Sequence, residues 1–170
     1  MTIAPNTPSI AAPPAAAEAA VADGTPLLPT REAVLGRLAE QLPTVGTVPA
    51  TLLIIGLLRT DDGWPVSRDT IAQVTTLLAR SVRGDDWLGS SGPTEFVVVV
   101  GGPVTAAENA AARLVAAVAD LGVPDVSASA GVTPLVADVA AGELLRRATL
   151  SLTAARRVGA GTVIRYREPR

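Results

Sequence analysis

Cysteine and histidine are both absent from this sequence of 170 residues. Without them the chain has no disulfide bonds, no thiolate nucleophiles, no zinc sites of the usual kind and no imidazole general bases. Any metal-dependent chemistry would have to rely on carboxylate ligands. A function of this chain must therefore come from other side chains.

A large excess of one charge and long apolar runs are also lacking. With 14 basic and 16 acidic residues the net charge is −2, which leaves no strong field to attract nucleic acid or an anionic membrane surface. The longest apolar run, ATLLIIGLL from Ala50 to Leu58, is roughly half the length of a membrane-spanning helix. The N-terminus has no basic segment and is interrupted by prolines, so it does not resemble a secretory signal. We therefore expect a cytoplasmic protein that binds neither nucleic acid nor a membrane.

Apolar residues make up 48% of the chain, which suits one globular domain preceded by a tail. Residues 1–22 are rich in alanine and proline and are predicted to form a disordered tail, with the domain over 23–170. Hydrophobic periodicity and turn residues predict the elements of the domain. They are a helix at 31–41 after a Thr30 cap, a strand at 51–58, a helix at 68–83, a hairpin of 85–91 and 94–100 with its tip at 92–94, a helix at 105–122 capped by Thr105, a strand at 125–134, a helix at 141–159 and a strand at 161–166. This order indicates a mixed sheet with helices packed on its faces.

Three segments of the domain are similar to sequence motifs of a known protein family. DGTPLLPTR is similar to D-x-L-T-G-L-x-N-R, VSASAGV to V-T-x-S-I-G-V, and ATLSLTAARRVGAG to A-D-x-A-L-Y-x-A-K-x-x-G-R-N. The shared residues are Asp23, Leu28, Arg31, Val126, Ser129, Gly131, Val132, Ala148, Leu152, Ala155 and Gly159. Together these segments resemble the diguanylate cyclase family, named for its GG[DE]EF hairpin, over nearly all of 23–166. The resemblance implies an α/β (α+β) fold like the palm of nucleotide cyclases, with a central, mainly antiparallel sheet flanked by helices.

The resemblance also implies where the chemistry of the family would lie. In that family two GTP molecules on facing subunits are joined into cyclic di-GMP. Phosphoryl transfer of this kind needs a metal held by carboxylates. The family's strand aspartate corresponds here to Gly56, and its hairpin acid to Thr94. Glu95 remains, but one carboxylate is a poor site for a divalent cation that bridges a triphosphate.

Other positions of the substrate site are also replaced. The hairpin keeps Gly92, but its second glycine is Pro93, which has no N–H to donate to a ligand. The acid that recognises guanine corresponds to Arg68, and the lysine that contacts triphosphate corresponds to Arg156. The resemblance therefore implies a pseudoenzyme with no catalytic residues, no metal and no cofactor.

A product-binding motif of the family is retained. Many members carry R-x-x-D five residues before the hairpin, and here RGDD, from Arg83 to Asp86, is followed by WLGSS and then Gly92. The fork of an arginine can pair with phosphate or with the O6/N7 edge of guanine, and a carboxylate can accept from guanine N1 and N2. In the family a second arginine, often from a neighbouring subunit, completes the site, and Arg113 resembles it. The alternative interpretations are a solvated helix end for Arg83 and Asp86 and an exposed surface residue for Arg113.

These observations favour a catalytically inactive domain that binds cyclic di-GMP and signals through changed association or partner binding. One alternative is a protein-interaction or dimerisation module, pairing with itself or with an unidentified protein, that binds no nucleotide. Another is residual cyclase activity, with metal gathered by Glu95 and substrate phosphate alone. Further expectations concern single side chains: Phe96 in the core, Glu95 as a plain surface residue of the hairpin, Asp23 and Arg31 at the start of the first helix, and Trp64 and Trp87 against the sheet or beside a pocket.

Overall fold

The architecture is described here from a computed structural model, which describes residues 21–22, 25–60 and 65–168. The predicted tail up to residue 20, together with Asp23 and Trp64, lies outside these ranges. The elements are β1 (Val21–Ala22), β2 (Thr25–Pro26), α1 (Arg31–Gln41), a short 3-10 helix (Leu42–Thr44), β3 (Ala50–Arg59), α2 (Arg68–Ser81), β4 (Trp87–Gly92), β5 (Glu95–Gly101), α3 (Val104–Asp120), β6 (Val126–Pro134), α4 (Ala141–Val158) and β7 (Val163–Arg165). Strands β1 and β2 pair with each other on either side of the boundary predicted between tail and domain.

Five strands form the main sheet, in the order β4-β5-β3-β6-β7. All neighbours are antiparallel except β6 and β7, which are parallel. The central strand β3 is buried on both faces over its first eight residues, because its run of branched aliphatic side chains has helices above and below it. The predicted α/β fold with a central, mainly antiparallel sheet flanked by helices is thereby confirmed.

The side chains of β3 alternate between two separate cores. Leu53 and Ile55 pack with the apolar faces of α2 and α3, whereas Leu52 and Ile54 pack with those of α1 and α4. Phe96 is buried in the first core, as predicted, and Trp87 packs against the second. The fold is therefore a three-layer arrangement of two helices, one sheet and two helices.

The four helices begin within one residue of their predicted starts, and glycines follow or mark the ends of two of them. Gly122, with φ of +66°, follows the end of α3, and Gly159, with φ of +131°, ends α4. The predicted Thr105 cap is wrong: α3 begins one residue earlier, at Val104, because the extended Pro103 (φ −70°, ψ 156°) precedes the first turn. Thr30 does occupy the N-cap position of α1, but its side chain makes no capping hydrogen bond. None of the helices within the described ranges is long and apolar enough to cross a membrane.

Helix α4 lies directly against the backbone of β6 at Gly131. A Cβ atom there would collide with the Ala148 carbonyl oxygen and the Leu152 nitrogen, and would lie 3.1 Å from the Leu152 Cα. Gly131 also pairs with Ile54 of β3 and with Ile164 of β7, so it lies in the interior of the sheet. Because both colliding atoms belong to the backbone of α4, neither can move aside as a flexible side chain could. A side chain at this position would have to push the helix away from the sheet.

Glu143 at the start of α4 gives a pH-dependent prediction. Hydrogen bonds from Arg146 and then from Arg147 lower the pKa of Glu143 from its ordinary value of 4.5 to about 2. A carboxyl group with a lowered pKa stabilises the folded state fully above its unfolded value and loses this contribution as the pH falls through the folded value. The melting temperatures of the unaltered protein and Glu143→Gln are therefore expected to differ most near neutral pH and to converge between pH 4.5 and about 2. A difference that stays constant over that interval would contradict the assignment.

Candidate ligand-binding site

The segment between α2 and β4 forms a closed turn around Arg83 and Asp86. The Arg83 backbone N–H donates to Asp86 Oδ2 at 2.9 Å, and the Asp86 N–H donates to the Arg83 carbonyl oxygen at 3.1 Å. The side chain of Asp86 thus fixes the backbone from which Arg83 projects. Arg83 itself is exposed and Asp86 is half-buried, so both can meet a ligand from solvent.

Helix α3 supplies the opposite wall of a pocket of about 230 Å³ at this turn. Arg83, Asp86 and Arg113 all line it, so the structure brings the three predicted ligand-binding residues together within one chain. Asn109 also lines the pocket, and it lies one helical turn before Arg113 on the same side of α3. The remaining lining is small and apolar: Val100, Gly101, Ala106, Ala107 and Ala110.

The pocket is lined by two arginines, one aspartate and one asparagine together with small apolar residues. Such a set can hydrogen-bond the edge of a planar base and pair with phosphate while alanine side chains contact the base. Its volume is below the roughly 300–1,000 Å³ of pockets that enclose a whole small molecule. It is therefore suited to hold part of a larger ligand, with the rest outside. Asn109 was not among the residues predicted from sequence, although its four-residue spacing from Arg113 would have placed it on the same helix face.

A second, larger cleft lies at the tip of the β4–β5 hairpin. It has a volume of about 500 Å³ and is lined by Leu57, Leu58, Arg59, Gly92, Pro93, Thr94, Glu95 and Arg156. Most positions that correspond to the family's substrate site thus meet here. Arg68 does not line this cleft and is exposed at the first position of α2.

Glu95 is held by partners on both of its carboxylate oxygens. Arg156 Nη1 donates to Oε1 at 2.9 Å, and Ser91 Oγ donates to Oε2 at 3.1 Å. The side chain of Glu95 is only 22% exposed, so the expectation of a plain surface residue is wrong. The reason is that Arg156, which is far from Glu95 in sequence, lies on α4. Its guanidinium extends past Gly56 of β3 and forms an ion pair with the Glu95 carboxylate. A cation from solution would have to compete with this arginine for the carboxylate.

Arg156 also fills the space beside Gly56. Gly56 is the cross-strand partner of Glu95, and a Cβ atom built on it would lie 2.7 Å from Arg156 Cζ and 2.9 Å from Nε. The guanidinium therefore rests where a side chain at position 56 would project. An aspartate at 56 and Arg156 in its present position exclude each other. Within the ranges that the structure describes, no group of three or more acidic residues is arranged to hold a metal ion.

The turn of the hairpin is closed by Pro93 and Thr94. Pro93 is exposed, whereas Thr94 is 8% exposed and its carbonyl oxygen accepts from the Leu57 N–H at 3.0 Å. Position 94 is therefore occupied by a neutral side chain turned away from solvent. Together with Gly56, it leaves Glu95 as the carboxylate that lines the cleft.

Comparison of the sequence with protein-family models and with curated proteins gives no match. Comparison of the fold with solved structures finds several similar domains. The active GGEEF domain of a diguanylate cyclase from Vibrio cholerae is similar with a TM-score of 0.70 and 19% identity, over 84% of this chain and 99% of that one. The GGDEF domain of DgcB from Caulobacter crescentus, in complex with c-di-GMP, has a TM-score of 0.72 and 17% identity, over 89% of this chain and 98% of that one. Diguanylate cyclase SiaD from Pseudomonas aeruginosa, in complex with its activator SiaC, has a TM-score of 0.69 and 22% identity, over 81% of this chain and 58% of that one.

Proposed function

We propose that this chain, which has the fold of a GGDEF domain, is a non-catalytic receptor for cyclic di-GMP that acts in the cytoplasm. The observation that carries the proposal is the single pocket lined by Arg83, Asp86 and Arg113. These residues lie on two separate parts of the chain: Arg83 and Asp86 on the turn between α2 and β4, and Arg113 in the middle of α3. Their convergence is not required by the hydrophobic core, since Arg83 and Arg113 are exposed.

Guanine and phosphate match the groups in this pocket. Arginine can donate two parallel hydrogen bonds to guanine O6 and N7 or to a phosphate, and Asp86 can accept from guanine N1 and N2. Cyclic di-GMP offers both chemical groups in one molecule. A ligand lacking the guanine donors, such as a cyclic diadenylate, would leave the Asp86 carboxylate without its partner and is expected to bind less tightly.

The absence of catalysis is the second part of the proposal. It is supported by the ion pair of Arg156 with Glu95, by the neutral residues Gly56 and Thr94, and by Pro93 at the hairpin tip. A receptor that keeps the product pocket but lacks the metal-binding carboxylates of the substrate cleft would respond to the signalling nucleotide without producing it.

Calorimetric titration with cyclic di-GMP tests the receptor function. The unaltered protein is expected to bind, and Arg83→Ala to bind at least about fivefold more weakly, because a bidentate arginine contact contributes about 1–3 kcal/mol. Arg80→Ala is the matched control, because Arg80 is also an exposed arginine near the end of α2 but does not line the pocket. No heat of binding with the unaltered protein, or equal losses from both variants, would contradict the proposal.

A protein-interaction module that binds no nucleotide is the second candidate. The similarity to SiaD, whose structure holds an activator protein, favours it. In that case a partner captured from the protein's own cells would bind Arg83→Ala as tightly as the unaltered chain. Capture that depends on both Arg83 and added cyclic di-GMP would favour the receptor instead.

A further inference from the structure

Asn109 lines the ligand pocket but has no part in the proposed binding of guanine and phosphate. It is exposed on α3, and its carboxamide makes no hydrogen bond to any residue that the structure describes. Arg113 lies one helical turn later on the same side of the helix and lines the same pocket. A carboxamide both donates and accepts hydrogen bonds, which neither a guanidinium nor a carboxylate does. Asn109 therefore adds a kind of contact that the arginines and the aspartate of the pocket lack.

The pocket offers a carboxylate to one guanine only. Asp86 is the acidic residue that lines it within the described ranges, and its Oδ2 already accepts from the Arg83 N–H, which holds the carboxylate beside the turn. A carboxylate accepts hydrogen bonds and donates none, so it matches the N1 and N2 donors of a guanine. The second base of a cyclic dinucleotide would find no second carboxylate in this pocket.

The spacing on α3 places Asn109 near the second base. Residues four apart on a helix have Cβ atoms about 5–6 Å from each other, so a ligand group joined to a phosphate at Arg113 lies within reach of Asn109. In a cyclic dinucleotide each phosphate connects two nucleosides. When one base lies against Asp86 and a connecting phosphate pairs with Arg113, the other nucleoside continues along α3. Asn109 is therefore positioned to contact the second base.

A carboxamide matches adenine better than guanine. Its NH2 group donates to adenine N7 while its oxygen accepts from the N6 amino group, so two hydrogen bonds form side by side. On the same edge of guanine both N7 and O6 are acceptors. The carboxamide oxygen would then face guanine O6 with no hydrogen between them, and one of the two bonds would be lost. As the contact for the second base, Asn109 favours adenine.

We infer that the pocket distinguishes the two bases of its ligand, with Asp86 selecting a guanine and Asn109 favouring an adenine. The ligand that satisfies both residues is a cyclic dinucleotide with one guanine and one adenine. Cyclic di-GMP still binds, with one of its guanines on Asp86, whereas a cyclic diadenylate leaves Asp86 without a donor. The inference rests on the proposed receptor function, because it concerns the same pocket, and it extends the ligand class to mixed cyclic dinucleotides.

Calorimetric titration of the full chain with cyclic di-GMP, cyclic di-AMP and cyclic GMP-AMP, all with 3′–5′ linkages, tests this selectivity. Cyclic GMP-AMP is expected to bind the unaltered protein at least as tightly as cyclic di-GMP, and cyclic di-AMP to bind most weakly. Asn109→Leu is expected to raise the Kd of cyclic GMP-AMP relative to that of cyclic di-GMP at least about fivefold, because a bidentate pair is lost. Thr105→Leu is the matched control, since Thr105 is exposed one turn before Asn109 but does not line the pocket.

A second variant, Asn109→Asp, is expected to shift the preference further toward cyclic di-GMP, because a carboxylate accepts from guanine N1 and N2 but cannot donate to adenine N7. Two results would overturn the inference while leaving the receptor function intact. They are cyclic di-GMP binding more than about threefold tighter than cyclic GMP-AMP to the unaltered protein, and a ratio of the two Kd values that Asn109→Leu changes no more than Thr105→Leu. Binding of none of the three nucleotides would instead overturn the receptor function, and the inference with it.

Discussion

A Gly131→Ala variant is expected to unfold about 10 °C below the unaltered protein. The added methyl group would collide with the Ala148 carbonyl oxygen and the Leu152 nitrogen, so α4 must move away from β6. Overpacking of a close-packed core costs about 1–3 kcal/mol, and a backbone obstacle belongs at the upper end of that range. For a domain of this size each kcal/mol lowers the melting temperature by about 2–4 °C. Thermal unfolding followed by circular dichroism measures the shift.

Gly36→Ala is the matched control and is expected to change stability in the opposite direction. Gly36 lies within α1, is exposed, and has no atom within 4 Å of the Cβ that an alanine would add. Alanine in place of an exposed helical glycine stabilises by about 0.5–1 kcal/mol. If Gly131→Ala melts as high as Gly36→Ala, the close approach of α4 to β6 does not exist in solution.

The purified protein is expected to make no cyclic di-GMP from GTP with Mg²⁺ or Mn²⁺. Joining two triphosphates requires metal ions to neutralise phosphate charge and activate the attacking hydroxyl. At the cleft the carboxylate of Glu95 is already paired with Arg156, and position 56 has no side chain. Chromatography of the reaction over several hours, beside an active diguanylate cyclase under the same conditions, measures the product.

Residual activity would have a recognisable signature. Product that increases with protein concentration and disappears in Glu95→Gln would show that this one carboxylate can gather metal after all. Product that persists in Glu95→Gln would point to a contaminating enzyme. Loss of the Arg156 guanidinium alone, in Arg156→Met, is not expected to create activity, since Gly56 and Thr94 still provide no carboxylate.

Most of the fold was predictable because its elements have strong local patterns. The continuous apolar run of β3 indicates a strand covered on both faces, and glycines with positive φ mark the ends of α3 and α4. The Thr105 cap was predicted wrongly because Pro103, two residues earlier, is extended and occupies the N-cap position, so that α3 already begins at Val104. Local patterns of this kind do not distinguish between two competing starts.

The candidate site was predictable in part. Arg83 and Asp86 are close in sequence, and their distance from the hairpin is fixed by β4, so spacing alone places them on one turn. The contact of Arg156 with Glu95 joins residues 61 positions apart and requires α4 to cross the sheet at Gly56. Sequence spacing contains no information on such a crossing. For this reason the hairpin glutamate was expected to be a plain surface residue.

Because Arg156 pairs with Glu95, the conformation of the hairpin does not depend on metal ions in solution. A magnesium ion can be diluted, chelated or displaced, but an arginine that belongs to the chain remains at the same local concentration under all conditions. The hairpin is thereby joined to α4 by an ion pair that needs no metal ion. Strand β4 begins at Trp87, directly after Asp86, and near its other end the Ser91 hydroxyl donates to Glu95, so the turn at Arg83 adjoins a strand that is held in place even when nothing is bound.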